Sequence, residues 1–337
     1  LEATTDPSRL SEVEAILICV PTPLDDHRDP DLSFVLDTAR TMASHLTNGV
    51  LVTLESTTYP GTTEDELRTV LELESGMRAG TDFHLAYSPE REDPGRDDES
   101  VKTIPKIVGG YTCKCSELAK CLYEQALDMV HLVSSCRTAE ATKLLENIFR
   151  SVNIALANEL KVVYEAMGID IHEVIAAAAT KPFGFMAFQP GPGLGGHCIP
   201  IDPFYLTWKA REFGKHTRFI ELAGEINTAM PEYVISKVVD ALNDEGKALK
   251  RSKILILGLA YKANVDDCRE SPSFVLMEKL QAKGALVEYN DPLVPIVPPT
   301  REHGHFTGKH SVYIEDAYDL ILVSTDHAEY KLSLIHI

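Results

Sequence analysis

Between Ala15 and Leu132 the chain alternates short runs of apolar, often β-branched residues with longer stretches whose apolar positions recur every three or four residues. Uninterrupted apolar runs suit strands buried on both faces, and the longer repeat between them suits helices lying on such a sheet. The runs predict strands over residues 15–20, 50–54, 83–87, 106–108 and 129–132, with helices over 31–45 and 63–73. That order is the βαβ signature of a parallel sheet. Residues 90–100 are charged and carry Pro94 and Gly95, so they read as a loop leaving the 83–87 strand.

From Thr138 to Met167 there is no Pro or Gly, and apolar residues recur at helical spacing through Leu144, Leu145, Ile148, Val152, Leu156 and Leu160. The pattern predicts one helix of about 30 residues, about 45 Å long, closed by Gly168. A helix of that length joins domains or forms an oligomer interface. Further helical patterns cover 171–180, 205–213 and 219–229. At Lys253 the period changes back. Residues 254–258 read as a buried strand running into a loop at 259–267, followed by a helix at 272–283 and strands at 285–289 and 320–323. The expected layout is α/β, with two parallel-sheet domains joined by a long central helix.

Length and composition narrow the function. A chain of 337 residues is long enough for two or three domains, and 44% hydrophobic with 25% charged residues is ordinary for a soluble protein. A net charge of −19 argues against nucleic acid as a partner, while an anionic small ligand needs only a local cationic cluster. No apolar run reaches the ~20 residues of a membrane span. The seven Cys are odd in number and scattered, which fits a reducing, cytoplasmic setting rather than a disulfide framework. Cys113, Cys115 and Cys121 lack a matching second pair of ligands and enter an amphipathic helix, so no metal site is expected. Both ends read as cut: the first strand follows Leu1 closely, and residues 332–337 carry no pattern.

The candidate chemistry sits at strand ends, on one helix and in two loops. Three strands end in Cys19-Val20-Pro21-Thr22-Pro23, Glu55-Ser56-Thr57-Thr58 and Ser88-Pro89-Glu90-Arg91. Ligands of open parallel sheets bind at that carboxyl edge, although Ser and Thr there are commonly mere caps. No G-x-G-x-x-G joins a strand to a helix, so a pyrophosphate turn for this sheet is expected upstream of Leu1. Lys143 and Asn147 share a helix face flanked by Leu144, Leu145 and Ile148. A desolvated Lys stabilises an oxyanion and an Asn amide orients water, whereas the plainer alternative is a solvated pair. Lys262 and Arg269 follow the 254–258 strand, where a phosphate would sit, or else they form a solvated loop. The Gly- and Pro-rich run 191–203 cannot propagate a helix or strand, and it presents His197, Cys198 and Asp202. It is either a loop shaped to bring a thiol to a ligand or a tight turn around a buried Cys.

Together these pieces resemble the UDP-glucose/GDP-mannose dehydrogenase family, from Ile16 to about Lys331. The most specific matches are residues 190–203 and Gly258-Leu259-Ala260-Tyr261-Lys262 with Asp266-Asp267-Cys268-Arg269-Glu270-Ser271. Residues 195–206 and 88–95 look like the UDP-N-acetylhexosamine branch, which includes UDP-N-acetylglucosamine 6-dehydrogenases of surface-polysaccharide pathways.

The resemblance implies two Rossmann-like domains around the central helix. Residues 1–137 would be the remainder of an NAD-binding domain lacking its first βαβ unit, 138–228 a central dimerisation and catalytic domain, and 229–337 a UDP-sugar-binding domain. It implies NAD-dependent, four-electron oxidation of a UDP-sugar C6 alcohol to a carboxylate, by a homodimer or higher homo-oligomer.

Carried over by residue, Cys198 would form a thiohemiacetal and then a thioester. Asp202 and Asn147 would hold the water and the reacting oxygen, Lys143 the oxyanion, and Thr57 would act near the nicotinamide. Glu90 would lie near the sugar; the family's second glutamate falls on Pro94, as is common in the acetamido-sugar branch. Val20, Pro21, Thr22, Ser56, Thr57 and Arg269 would bind the cofactor. Arg91, Gln189, Gly193, Gly195, Gly196 and Lys262 would join Glu90, Lys143 and Asn147 on the substrate. The competing readings are a two-electron hydroxyacid or 6-phosphogluconate-type dehydrogenase, which needs neither the thiol nor a second nucleotide-binding sheet, and a catalytically silent sugar-nucleotide-binding fragment.

Overall fold

The computed structural model describes residues 2–25, 29–92, 102–196 and 199–330. His197, Cys198, Pro94, Gly95 and residues 331–337 lie outside the described residues. The chain divides into two compact units, residues 1–148 with 201–217, and residues 149–200 with 218–337.

The first unit is built on a sheet of β1 (Ala15–Ile18), β2 (Leu51–Leu54), β3 (His84–Tyr87), β4 (Lys106–Gly110) and β5 (Val130–Val133), in that spatial order. β1, β2 and β3 run parallel, with Ile16 opposite Val52 and Val52 opposite Leu85. Every residue of β2 and β3 is buried, which is why their sequences read as continuous apolar runs. On one side α1 (Ser33–Ala43) and α2 (Arg68–Ser75) contribute Val35, Ala39, Met42 and Leu71 to the core, while α3 (Cys113–Tyr123) covers the other with Ala119 and Tyr123.

Three features depart from the expectation. β4 pairs antiparallel with β3, with Ala86 opposite Gly110, before β5 resumes parallel to β4. Close packing fixes this position. A Cβ at Gly109 would lie 2.1 Å from the Ser135 carbonyl oxygen, and one at Gly110 would lie 2.3 Å from the Ser116 nitrogen. The first strand stops at Ile18 rather than residue 20, because Pro21 and Pro23 carry no N–H for a ladder. The helix expected at 63–73 opens with a π-helical turn over Thr62–Leu67, where the Glu140 carboxylate accepts the Gly61 and Thr63 amides. The three-cysteine segment is helical as expected: Thr112 caps α3, Cys115 is buried against His84, and Cys113 and Cys121 are exposed.

The long helix is α4 (Cys136–Ala166), 31 residues against the expected ~30. The second unit follows from Phe149 through α5 (Ile171–Ala179); α6 (Asp202–Glu212) belongs to the first. α7 (Arg218–Asp244) runs straight through Pro231, although the pattern predicted an end at residue 229. Its buried Met230, Pro231, Ile235, Val238 and Leu242 continue one apolar stripe, and burial of that stripe outweighs the hydrogen bond Pro231 removes. The second sheet has β6 (Lys253–Leu257) between β7 (Leu286–Asn290) and β8 (Leu320–Val323), all parallel, and is covered by α8 (Pro272–Ala282). Ile254, Ile256, Phe274, Met277 and Leu280 are fully buried at its centre.

Candidate active site

In the first unit α4 carries Glu140, Lys143 and Asn147 at spacings of three and four residues, so all three share one helix face. Lys143 and Asn147 are buried, and so is Asp202, which starts α6. The Asn147 side-chain amide donates to Asp202 Oδ2 at 2.5 Å. Burial pushes the Asp202 carboxyl up to about 7, although the Lys143 ammonium and the Asn147 amide favour its ionised form; Glu90 pushes the same way as burial.

Lys143 Nζ donates to the Glu90 carbonyl at 2.6 Å and stands 3.7 Å from the half-exposed Glu90 carboxylate. Arg91 pairs with Glu146 of α4 at 2.6 Å and donates to the Pro105 carbonyl at 2.5 Å. The end of β3 is thereby tied to the helix that bears Lys143.

The ends of β1 and β2 are laced together. Ser56 Oγ donates to the Val20 carbonyl at 2.6 Å, and Thr22 Oγ1 donates to the Thr57 carbonyl at 2.7 Å. The buried Tyr205 hydroxyl donates to the Thr22 carbonyl. Glu140 is also buried; its Oε1 accepts from the Thr63 amide and hydroxyl at 2.8 and 2.7 Å, and its Oε2 from the Gly61 amide at 2.6 Å. Burial holds its carboxyl up at about 7 against these three donors. The Thr58 hydroxyl, beside Thr57, and the Tyr87 hydroxyl, ending β3, are buried without a partner among the described residues. An edge of parallel strands that keeps unsatisfied hydroxyls and a rigid Pro turn suits a nucleotide cofactor.

In the second unit the Gly-rich loop is seated on protein. A Cβ at Gly195 would lie 2.6 Å from the Tyr261 Cβ and 3.0 Å from the Pro272 Cδ. Gly196, at φ +79, donates its N–H to the Arg269 carbonyl at 3.3 Å. The Gly191 N–H donates to Asn158 Oδ1 at 2.9 Å, and Asn158 Nδ2 to Asn227 Oδ1 at 2.8 Å. The segment holding Lys262 is fixed from beneath by Asp291, whose Oδ2 accepts the Leu259 and Ala260 amides at 2.6 and 2.9 Å. His327 adds a contact to the same oxygen at 3.1 Å and accepts the Asn264 amide at 3.0 Å. Arg269 pairs with Asp267 at 2.6 Å, and Gln189 meets His172 at 3.2 Å.

Lys143, Asn147, Asp202 and Glu90 thus come together in the first unit, with Val20, Thr22, Ser56 and Thr57 linked at adjoining strand ends. Gly193, Gly195, Gly196, Lys262 and Arg269 belong to the second. Cys198 precedes Asp202 by four positions in the sequence. Glu140 and Tyr205 escaped the sequence reading. Their signal is faint: an acid one turn before Lys143, and a Tyr one turn after Asp202.

Comparison with known proteins agrees over nearly the whole length. The NAD binding, central and UDP binding domains of the UDP-glucose/GDP-mannose dehydrogenase family match residues 1–127, 137–229 and 255–335. A UDP-N-acetyl-D-glucosamine 6-dehydrogenase of Pseudomonas aeruginosa is 37% identical over 326 residues, covering 96% of this chain and 76% of that protein. A UDP-N-acetyl-D-mannosamine dehydrogenase of Pyrococcus horikoshii is 37% identical over 98% of this chain and 75% of its own length. The solved structure of a Pyrococcus horikoshii UDP-D-ManNAc dehydrogenase superposes with a TM-score of 0.87 at 36% identity, over 97% of this chain and 75% of that one. With both units matched by domains of one family, and this chain aligned almost end to end with about three quarters of its relatives' length, the chain belongs to the UDP-glucose/GDP-mannose dehydrogenase family.

Proposed function

We propose that the protein oxidises the C6 alcohol of a UDP-N-acetylhexosamine, UDP-N-acetylglucosamine first among them, to a carboxylate, as a step in surface-polysaccharide synthesis. One alcohol, two NAD+ and one water give one carboxylate, two NADH and three protons. The observation that carries the reading is the buried Asn147–Asp202 pair beside Lys143, in a chain whose Cys198 lies four residues before Asp202. Relatives named for UDP-N-acetyl-sugar oxidation support the substrate class. A thiol and a second parallel sheet favour the four-electron reaction over a two-electron one.

NAD+ supplies the hydride acceptor for both oxidations. Val20, Pro21, Thr22, Ser56 and Thr57 would hold it, with Arg269 also assigned to the cofactor. Lys262, Gln189, Gly193, Gly195, Gly196, Glu90 and Arg91 are assigned to the sugar nucleotide.

The Cys198 thiolate adds to the first-formed aldehyde as a thiohemiacetal, so the reactive carbonyl cannot escape. Loss of the second hydride to NAD+ and of the hydroxyl proton to solvent leaves a thioester. Asp202, whose carboxyl exchanges its proton near neutrality, takes a proton from the attacking water, and Asn147 aims it. The Lys143 ammonium holds the developing oxyanion, which collapses to the acid as the C–S bond breaks and the Cys198 thiolate leaves. The division at residues 138 and 229 into cofactor, central and UDP-sugar parts goes with this assignment.

The test is stoichiometry with the full-length enzyme. Two NADH per UDP-N-acetylglucosamine are expected, and Cys198→Ser should lose turnover by about 10³ while still binding the UDP-sugar. One NADH per sugar with free aldehyde as product would overturn the reading.

A homodimer or higher homo-oligomer is part of the proposal. Phe149 and Leu156 of α4, Met167 just after it, and Phe183 and Met186 after α5 are exposed, and a strictly monomeric enzyme in sedimentation at micromolar concentration would count against it. Among the described residues no helix is long and apolar enough to cross a membrane. A cytoplasmic setting remains our reading from the scattered Cys.

A further inference from the structure

We propose that Tyr205 is a positioning residue whose single hydroxyl sets the cofactor edge of the first sheet against the helix that begins with Asp202. This rests on the assignment of Val20–Thr22 and Thr57 to the cofactor and of Asp202 to the reacting carbon.

Tyr205 lies one turn after Asp202 on α6 and is fully buried, its ring packed with Leu32, Tyr59 and Leu144. Its hydroxyl donates to the Thr22 carbonyl and lies 3.4 Å from that of Pro23. The Thr22 hydroxyl donates onward to the Thr57 carbonyl at 2.7 Å. One run of side-chain bonds therefore joins α6 to the end of β1, and the end of β1 to the end of β2.

The turn it grips has few donors of its own. Pro21 and Pro23 have no N–H to donate, so besides the Asp31 amide, which donates to the Pro23 carbonyl at 2.9 Å, the turn is braced by side chains brought from elsewhere. Leu144 of the same packing cluster is the neighbour of Lys143, so the ring also bears on the helix that carries the lysine. Reacting atoms must stand about 3–3.5 Å apart in near-attack geometry, and a misplacement of about 1 Å costs on the order of 100-fold. Among the described residues the Tyr205 hydroxyl bonds to the Thr22 and Pro23 carbonyls and not to Lys143, Asn147 or Asp202. It acts on the distance between the groups assigned to the cofactor and to the reacting carbon.

The test uses the full-length enzyme with UDP-N-acetylglucosamine and NAD+. Tyr205→Phe keeps the ring and removes one donor. Its kcat should fall about tenfold or more, while the dissociation constants for NAD+ and UDP-N-acetylglucosamine, measured by calorimetry, stay within about threefold of wild type. Thr22→Val keeps the carbonyl but cuts the next link, and the double variant should lose no more than the larger single loss.

Tyr289→Phe is the control for a merely structural role. Its fully buried hydroxyl donates to the Val294 and Lys309 carbonyls at 3.1 Å in the second unit, so it should lower the melting temperature comparably with kcat unchanged. A kcat loss below tenfold in Tyr205→Phe, an equal loss in Tyr289→Phe, or a loss confined to NAD+ affinity would each overturn the proposal. If Tyr205→Phe does not fold, Thr22→Val decides: an unchanged kcat there also overturns it. Wild-type stoichiometry keeps the two readings apart. One NADH per sugar sinks the functional assignment, whereas two NADH with an unaffected Tyr205→Phe sinks this inference alone.

Discussion

Asp202 and Asp291 are both buried carboxyls, at 3% and 2% exposure, and the two units treat them in opposite ways. Asp291 is surrounded by donors: the Leu259 and Ala260 amides and His327 on one oxygen, and the Leu293 and Val294 amides at 2.8 and 3.0 Å on the other. Its acceptor sites are filled by backbone, and what it does is hold the end of β7 against the segment that carries Lys262. Asp202 receives one hydrogen bond among the described residues, from Asn147, and burial pushes its carboxyl up to about 7. Burial by itself therefore does not mark a reactive carboxylate. In the proposed reaction the mark is acceptor capacity that the described residues leave open, because such a group can take a proton or a water without breaking the fold.

The sharpest way to break this contrast is to neutralise each carboxyl in turn. Asp202→Asn preserves shape and removes the base, so turnover should fall about 10³-fold with UDP-sugar binding kept within about threefold. Steady-state NADH production beside calorimetric titration measures both, and turnover above a tenth of wild type would remove Asp202 from the chemistry. Asp291→Asn should act on the fold instead. Its amide nitrogen must face amides that had an acceptor, which costs about 2–4 kcal/mol and lowers the melting temperature by several degrees. A melting temperature within about one degree of wild type would show that the filled carboxyl is dispensable.

A smaller effect separates glycines needed for packing from glycines that merely occur. Gly195→Ala sets a methyl 2.6 Å from the Tyr261 Cβ, and neither carbon can swing away, so the loop leading to Cys198 must shift. Turnover should drop about tenfold, with a stability loss of about 1–3 kcal/mol. Gly304→Ala meets nothing within 4 Å and should change neither. Equal behaviour of the two variants in a thermal melt and an NADH assay would refute the seating of the loop on Tyr261.

What could be read from sequence followed the range of the interaction. β2 and β6 were legible because strands buried on both faces leave uninterrupted apolar runs. Lys143 and Asn147 were legible because four residues is one helical turn. The pairing direction of β4 was not, since an apolar run looks the same in either direction. Nor was the continuation of α7 past Pro231, because the tertiary packing that overrides a helix breaker lies elsewhere in the chain. Tyr205 finds its acceptor 183 positions away and Glu140 its donors 77 and 79 positions away, distances at which no local pattern survives. Asp202 was legible as the carboxylate of the Gly- and Pro-rich loop, its role came from the family resemblance, and its buried pairing with Asn147 emerged only through the fold.

The finest test of the contrast is a pH series on stability. The Asp202 carboxyl is raised in the folded protein from 3.8 to about 7, so the fold favours its protonated form. The stability it contributes is fully present below its unfolded value and is lost as pH rises through about 7. Asp202→Asn, always neutral, escapes that loss. The difference in melting temperature, variant minus wild type, should therefore climb from about pH 4, pass its half-way point at about pH 5.4 and level off just above 7. Glu140 is also raised to about 7, but it is present in both proteins and cancels from the difference. At about 1.4 kcal/mol for each tenfold change in proton affinity the ceiling is about 4 kcal/mol, and the variant returns part of it because Lys143 loses an anionic neighbour. A net change on the order of 1–2 kcal/mol, a few degrees at most, is expected. A difference that stays flat across the series would mean that Asp202 is already ionised at no cost, and the acceptor sites left open by the described residues would then no longer distinguish it from Asp291.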